Sequence, residues 1–528
     1  MMDIWRWICE LPNSVDWSVS ETPYTFELAS SGKSGDGSSR SMQFRAERTA
    51  GSNSEALVTF SLCIQGFNPF NTPKILWVSD TCPFNSDKPF LPLILQLLQE
   101  IITNSPMAQI STCPRSQLQK LKPDPVEWIM DSHSPESFSS FFDLVFLTRL
   151  FWLCVCDAPS EVGSLYLDSL LGPNLEAFSF KQAPVLRTFL VTIGVDAELC
   201  FTRTLGYMLS KWLILRDVGA VGLQALATVP GRHAGFSYSM EACGFWTLKG
   251  YAPILAMKLV SSRDNKNSVV EAKESVLKYA LAHQQLEATI QLEYSVVFHD
   301  GYIEVNARVD NLRFHVAKLG FNKNDDVEYA EERHFVSRAR VWVGPEVGAT
   351  YVAGLSLGRS TENGDRKLEV QRLVKGSFGK SKAPMVKTRA KMATRTKMRN
   401  WRWDQDVEGN AAIFDAVLYD NMGHEIVACK PRSNINDGGS AHVIDVSCAF
   451  DGPNRPYTKT RGLVFAGDDY GEGIGWRLSK EMEGSVLKWR IGGQVWVSYW
   501  PKEVKSSHYE TRCVEWCDEV DLPLISSK

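Results

Sequence analysis

Eleven cations crowd the stretch from Gln371 to Trp403, with no acid among them: Arg372, Lys375, Lys380, Lys382, Lys387, Arg389, Lys391, Arg395, Lys397, Arg399 and Arg402. Three uses fit such a tract. It can bind the phosphates of RNA or DNA, with Trp401 and Trp403 at its end to stack bases. It can hold an acidic protein surface or an anionic bilayer. Or it is a nuclear-import patch or a solvated loop. Its middle, GKSKAPMVKTRAKMATRTKMRN, has few bulky apolar groups, so an exposed mobile loop between strands is expected. The whole chain carries a net charge of −4, so the remainder is acidic and could itself supply a partner for the tract.

Other chemistry-bearing patterns are weaker. Gly467-Asp468-Asp469-Tyr470-Gly471-Glu472-Gly473 places three carboxylates on a glycine-rich loop, but without the spacing of a calcium loop, and it reads as a turn between strands. Gly471, Gly473 and Gly475 lack the spacing that cradles a dinucleotide, and no G-x-x-x-x-G-K-[ST] loop occurs. No H-E-x-x-H appears among the motifs. His233, in PGRHAGFSY, reads as a structural histidine in a loop, and His334, beside Glu331, Glu332 and Arg333, as part of a surface charge cluster. No catalytic residue, cofactor or metal is assigned from these patterns.

The elements that position these residues can be bounded. A chain of 528 residues makes two to four domains. With 44% apolar and 22% charged residues it is a folded protein with ample core, not a disordered one. The start, MMDIWRWICELPNSVDW, has early acids and a short apolar stretch, unlike a secretory or transit leader. The longest apolar run, Leu144 to Cys156, is too short for a membrane span and reads as a buried helix or strand. The 12 cysteines are scattered without zinc or thioredoxin spacing, which suits reduced thiols in cytoplasm or nucleus.

The pattern along the chain predicts an α+β, multidomain protein. A small α+β domain over 1–126 precedes a mainly helical region over 127–285. An antiparallel β-sandwich or bent sheet follows over 286–528. In the first part, a short helix over Asp3–Leu11 is followed by strands at Tyr24–Ser30, Met42–Arg48, Ala56–Ile64 and Lys74–Ser79, then by an amphipathic helix after Pro89 and Pro92. In the middle, Val185–Leu215 carries a helical stripe with a break at Gly194, and Glu271–Glu287 reads as a further helix. Val221–Thr228 and Ala252–Val260 fit either type. In the last part, Asp300-Gly301, Asp420 to His424, and Gly492-Gly493 each read as the turn of a hairpin, with further strands at Phe335–Val343 and His442–Phe450. Trp489, Trp496, Trp500 and Trp516 read mainly as core.

The corner GFNPFNTPKILWVSDTCPFN resembles the proline-rich corner of the ubiquitin-conjugating-enzyme-like fold, including its inactive RWD branch. Pro69 and Pro73 fix φ and withhold donors where a strand leaves the sheet edge. No H-P-N triplet follows Val78-Ser79, and Cys82 comes too soon to match the family's catalytic cysteine. The resemblance covers about residues 1–105 and implies a non-catalytic docking module. The leading expectation is therefore a non-enzymatic interaction or scaffold protein of an intracellular complex, with other proteins as partners. The alternatives are a protein that binds nucleic acid or an anionic surface through the 371–403 tract, and a β-sandwich enzyme without local motifs.

Overall fold

The computed structural model describes residues 3–12, 22–31, 39–50, 56–67, 72–105, 121–178, 183–220, 235–254, 256–257, 284–319, 333–357, 366–378, 386–398, 401–419, 425, 462–466, 473–500, 508–509 and 513–526. The chain is α+β, with helices packed on one antiparallel sheet and further antiparallel sheets after them.

The N-terminal part runs α1 (Ile4–Cys9), β1 (Tyr24–Ser31), β2 (Arg40–Ala50), β3 (Ala56–Gln65), β4 (Lys74–Val78), β5 (Cys82–Pro83) and α2 (Leu91–Thr103). The first four strands form a meander, β1-β2-β3-β4, and β5 pairs with β3. Pro92 sits in the first turn of α2, where a missing N–H costs nothing. Leu93, Ile94, Leu97, Leu98, Ile101 and Ile102 then form its buried stripe.

Among the described residues the helices that follow are α3 (Pro123–Ser132), α4 (Pro135–Phe151), α5 (Ser160–Leu165), α6 (Gly172–Ala177), α7 (Pro184–Thr192) and α8 (Val195–Ala220). Trp152–Cys156 continues α4 as a π-helical turn, so the apolar run is helical. Pro135–Val155 is long and apolar enough to cross a membrane by length and composition, and its apolar window is 89% buried inside the fold. Phe146 of α4 meets Phe44 of β2 edge-on at 4.8 Å, and helices and meander share one core. The Asp143 side chain of α4 accepts the Ile4 backbone N–H at 3.2 Å and so caps α1 from a distance. Burial pushes this carboxyl up to about 8, so it is protonated in the folded chain at neutral pH. Gly194, at φ +86°, makes the break between α7 and α8 that its position predicts.

The strands that follow are β6 (Phe236–Ala242), β7 (Phe245–Ile254), β8 (Ala256–Met257), β9 (Gln284–Phe298), β10 (Tyr302–Lys318), β11 (Arg333–Pro345), β12 (Val352–Ser356), β13 (Arg366–Phe378) and β14 (Val386–Met398). They continue with β15 (Trp401–Glu408), β16 (Ala411–Leu418), β17 (Gly462–Ala466), β18 (Ile474–Ser479), β19 (Val486–Trp500), β20 (His508–Tyr509) and β21 (Cys513–Pro523). One sheet has the order β12-β18-β10-β9-β7-β6, with β17 also on β10. The second is β15-β16-β11-β19-β21. The two sheets share a core, in which Trp246 stacks on Trp489 at 5.2 Å and Trp476 meets Trp489 edge-on at 4.6 Å.

The Asp300-Gly301 hairpin forms as its alternation predicts, pairing Phe298 with Ile303 and Leu292 with Val309. A bulge between Val309 and Asn311 then moves the buried set of β10 from Val305, Ala307 and Val309 to Leu312, Phe314 and Val316.

Four expectations are corrected. The sandwich strands begin at Phe236, inside the stretch read as helical, because β6 and β7 extend the sheet from β9. Gln284–Glu287 is strand, not the end of a helix. Within the basic tract, residues 371–378 and 386–398 are not loop but belong to the paired strands β13 and β14. Gly492-Gly493 is not a turn: β19 runs straight through it. A Cβ on Gly492 would lie 2.3 Å from the Trp342 ring, and one on Gly493 2.7 Å from Ile290 Cδ1. These glycines make room on both faces of a central strand. Pro69, Val221–Thr228, His233, the expected hairpin turn Asp420–His424, His442–Phe450 and Gly467–Glu472 lie outside the described residues.

Candidate functional site

The basic tract is a two-stranded antiparallel ribbon, a sheet of its own among the described residues. Each strand has 13 residues, a length of about 40 Å. The register pairs Lys367 with Lys397, Lys375 with Arg389 and Ser377 with Lys387. Residues directly opposite share a face, and alternate residues share one too. One face therefore holds Lys367, Lys375, Lys387, Arg389, Lys391, Arg395 and Lys397, with Glu369 the single acid. The other holds Leu368, Val370, Val374, Gly376, Phe378, Val386, Thr388, Ala390, Met392, Thr394, Thr396 and Met398, with Arg366 and Arg372 its two charges.

Not all of the predicted residues join this face. Lys380, Lys382 and Arg399 lie outside the described residues. Trp401, Arg402 and Trp403 belong to β15 of the sandwich instead. Trp403 is 7% exposed in the sandwich core, and Trp401 packs against that core. The Arg402 guanidinium sits 4.1 Å from the centre of the Tyr419 ring. The expectation that Trp401 and Trp403 stack bases is thus corrected for Trp403, whose ring is held in the core.

A second constellation lies where α8 meets the sandwich, and no local motif announced it. Glu198 of α8 accepts hydrogen bonds from Tyr251 Oη at 2.6 Å and Lys249 Nζ at 2.5 Å, and also from the Tyr238 hydroxyl. Burial, and then the neighbouring ionisable groups, pushes both tyrosine hydroxyls far up. Arg203, five residues along α8, donates to Glu287 of β9 through Nε at 2.7 Å and Nη2 at 3.0 Å. His315 Nε2 lies 2.7 Å from the same carboxylate. Burial works to raise the Glu287 carboxyl, but His315 and Arg203 override it and hold it at about 2. The sequence signal is slight: Glu198 and Arg203 are two of the charged residues within the otherwise largely apolar α8.

His334 corrects the surface-cluster reading. Its side chain is in β11 with 2% of the residue exposed, and Nδ1 lies 2.9 Å from Gln284 Oε1. Burial holds its imidazole down at about 3, so it stays neutral.

A cleft of about 780 Å³ opens on the outer face of the second sheet, lined among others by Arg340, Trp342, Glu346, Arg490, Gln494 and Glu515. Its charges are partly spent on neighbours: Arg340 reaches Asp415 at 2.9 Å, and Gln494 donates to Glu515 at 2.8 Å. Burial raises the Asp415 carboxyl, but Arg338 and Arg340 outweigh it and hold the group below its ordinary value.

No family model matches this chain, and no curated relative does. Two toxins are among the solved structures similar over part of it. One is the Clostridium perfringens NetB toxin in its membrane-inserted form, at 9% identity and a TM-score of 0.17, covering 54% of this chain and 94% of that one. The other is Clostridium perfringens delta-toxin, at 9% identity and a TM-score of 0.20, covering 54% of this chain and 96% of that one. Scores this low define no shared fold.

Proposed function

We propose that this chain is a non-enzymatic interaction protein of an intracellular complex, a scaffold whose β13–β14 ribbon holds a polyanionic partner surface. The observation that carries the reading is the one-sided charge of the ribbon, seven cations to one acid on a single face. Like charges two residues apart repel one another in the free protein. A partner that supplies the opposite charge relieves that repulsion. The N-terminal part serves as an RWD-like docking module for other proteins. Its order of helix, four-stranded meander, corner with Pro73, and helix supports that role. Eight free thiols among the described residues support a reducing compartment, cytoplasmic or nuclear. Nucleic acid is the second reading, favoured by the form of the element, since a major groove admits a two-stranded ribbon.

Immobilised heparin, used as a polyanion probe, tests the docking element. The wild-type chain is expected to be retained and released by salt. The Lys387→Gln/Arg389→Gln/Lys391→Gln variant should elute at much lower salt, with a log–log salt slope smaller by about three. Lys488→Gln, on the sandwich, should elute as wild type. Coincident elution of wild type and the triple variant would overturn the reading.

A further inference from the structure

We propose that the cleft on the outer face of the second sheet binds a neutral saccharide, at a site separate from the ribbon and independent of its role. Strand register builds the floor. Ile413, Trp342, Gly492 and Cys517 form one row across four strands, and Asp415, Arg340, Gln494 and Glu515 form the next. Arg490, opposite Gly344, stands on the other side of the Trp342 row. An aromatic strip thus runs between polar groups. Gly492 shapes it: a Cβ there would lie 2.3 Å from Cε2 and Cζ2 of Trp342, so the indole leans across the neighbouring strand and rests on its backbone. The ring is half-buried and lines the cleft.

The turns at 346–348 and 408–410 wall one end, and they are already tied down. Asn410 Nδ2 donates to the Ala349 carbonyl at 3.3 Å, and the core Trp476 Nε1 donates to the Asn410 carbonyl at 2.8 Å. A ligand therefore meets a formed wall and need not order it. The rim is open to solvent, with Val347 82% exposed. At about 780 Å³ the cleft falls within the range of small-molecule sites, roughly 300–1,000 Å³.

The polar groups select the class of ligand. A polyanion would face Glu346, Glu408 and Glu515, with Arg340 already engaged by Asp415. An apolar ligand would cover two donors that need partners. Among the described residues the Arg490 guanidinium meets no carboxylate, only Cys517 Sγ at 3.8 Å, and the Trp342 indole N–H has no hydrogen-bond partner. A peptide would seek a strand edge, whereas β11 and β19 are paired on both sides. A pyranose ring meets every requirement. Its face of C–H groups, slightly positive, packs on the negative face of an indole. Its hydroxyls both donate and accept. They can accept from Arg490 and the indole N–H, and donate to Glu346 and to the Gln494 carbonyl oxygen, which is left over when Gln494 donates to Glu515 at 2.8 Å.

Chromatography on immobilised maltohexaose, cellohexaose, mannohexaose and chitohexaose tests this at low and high salt. These probes carry no charge, so the ribbon contributes nothing to retention. Wild type is expected to be retained on at least one of them, equally at both salts. Trp342→Ala should weaken binding about tenfold, and Trp342→Phe should keep most of it. Arg490→Gln should weaken it by at least about tenfold. Trp496→Ala, on the same face but outside the cleft, should bind as wild type. The cleft variants should keep wild-type elution from heparin, which reports a folded chain with its docking element intact. Failure of wild type to bind all four probes would overturn the saccharide site and leave the ribbon's role standing. Binding abolished by salt, or unchanged in Trp342→Ala and Arg490→Gln, would overturn it as well.

Discussion

Arg203→Met is expected to destabilise the chain by about 3 kcal/mol, and adding Glu287→Met should recover most of that loss. The prediction follows from where the pair sits. Arg203 projects from α8 onto β9, and the Glu287 side chain is only 4% exposed. Without Arg203 the carboxylate keeps His315 Nε2 at 2.7 Å and Gln285 Nε2 at 3.3 Å, which places the cost at the lower end of the range for breaking a buried pair. Replacing both partners by methionine removes the charge that needed compensation. His315, nearly half exposed, can turn to water. Gly206, one turn further along α8, brings the helix so close to β9 that a Cβ there would lie 1.8 Å from Gln285 Oε1. The seam between helices and sandwich is therefore held by contact as well as by charge, and α8 stays docked in the double variant. Urea unfolding of the two single variants and the double one measures the cycle. A double variant that loses the sum of the singles would show that the pair contributes through packing rather than charge.

The second large effect is a pair of opposite pH slopes. His334 is held at about 3 against an ordinary 6.5. Between those values the unfolded chain binds a proton that the folded chain does not, so its contribution falls as pH falls. Asp143 is pushed to about 8 from an ordinary 3.8. Between those values the folded chain holds a proton that the unfolded chain has lost, so its contribution rises as pH falls. From pH 6.5 to 4.5 each is worth about 3 kcal/mol, and they cancel. The contributions of these two groups to wild-type stability are thus expected to offset one another over that window. His334→Asn should gain stability on acidification, and Asp143→Asn should lose it. Below about pH 4.5 Glu287 adds a loss of its own, since its carboxyl is held at about 2. Chemical denaturation of the three proteins at pH 6.5 and 4.5 checks this. Variants that tilt the same way would contradict the assignment.

What was legible in the sequence was local. The Asp300-Gly301 hairpin, the break at Gly194 and the buried stripe of α2 each rest on one period or one backbone conformation, and each forms as read. The ribbon was hidden by counting its composition rather than its alternation. In VKTRAKMATRTKM every cation falls on one parity, which is the period of a strand. Gly492-Gly493 misled because glycine has two uses in β-structure. Only the tertiary neighbours Trp342 and Ile290 reveal that it makes space there rather than a turn. The partners of Glu198, Arg203 and His334 lie 40 to 84 residues away, so no spacing within a motif could have named them. The outer-face cleft was illegible for the same reason: Arg340, Arg490 and Glu515 come from three strands brought together by pairing alone.

The measurement that tests the docking role of the ribbon most directly is affinity purification of the tagged chain from its native cells. Wild type and the Lys387→Gln/Arg389→Gln/Lys391→Gln variant would be run in parallel at low and high salt, with quantitative mass spectrometry of what co-elutes. A defined set of partners or membrane components that accompanies wild type at low salt and is depleted with the variant is the predicted result. Recovery of the same set in the same amounts with both proteins would contradict it.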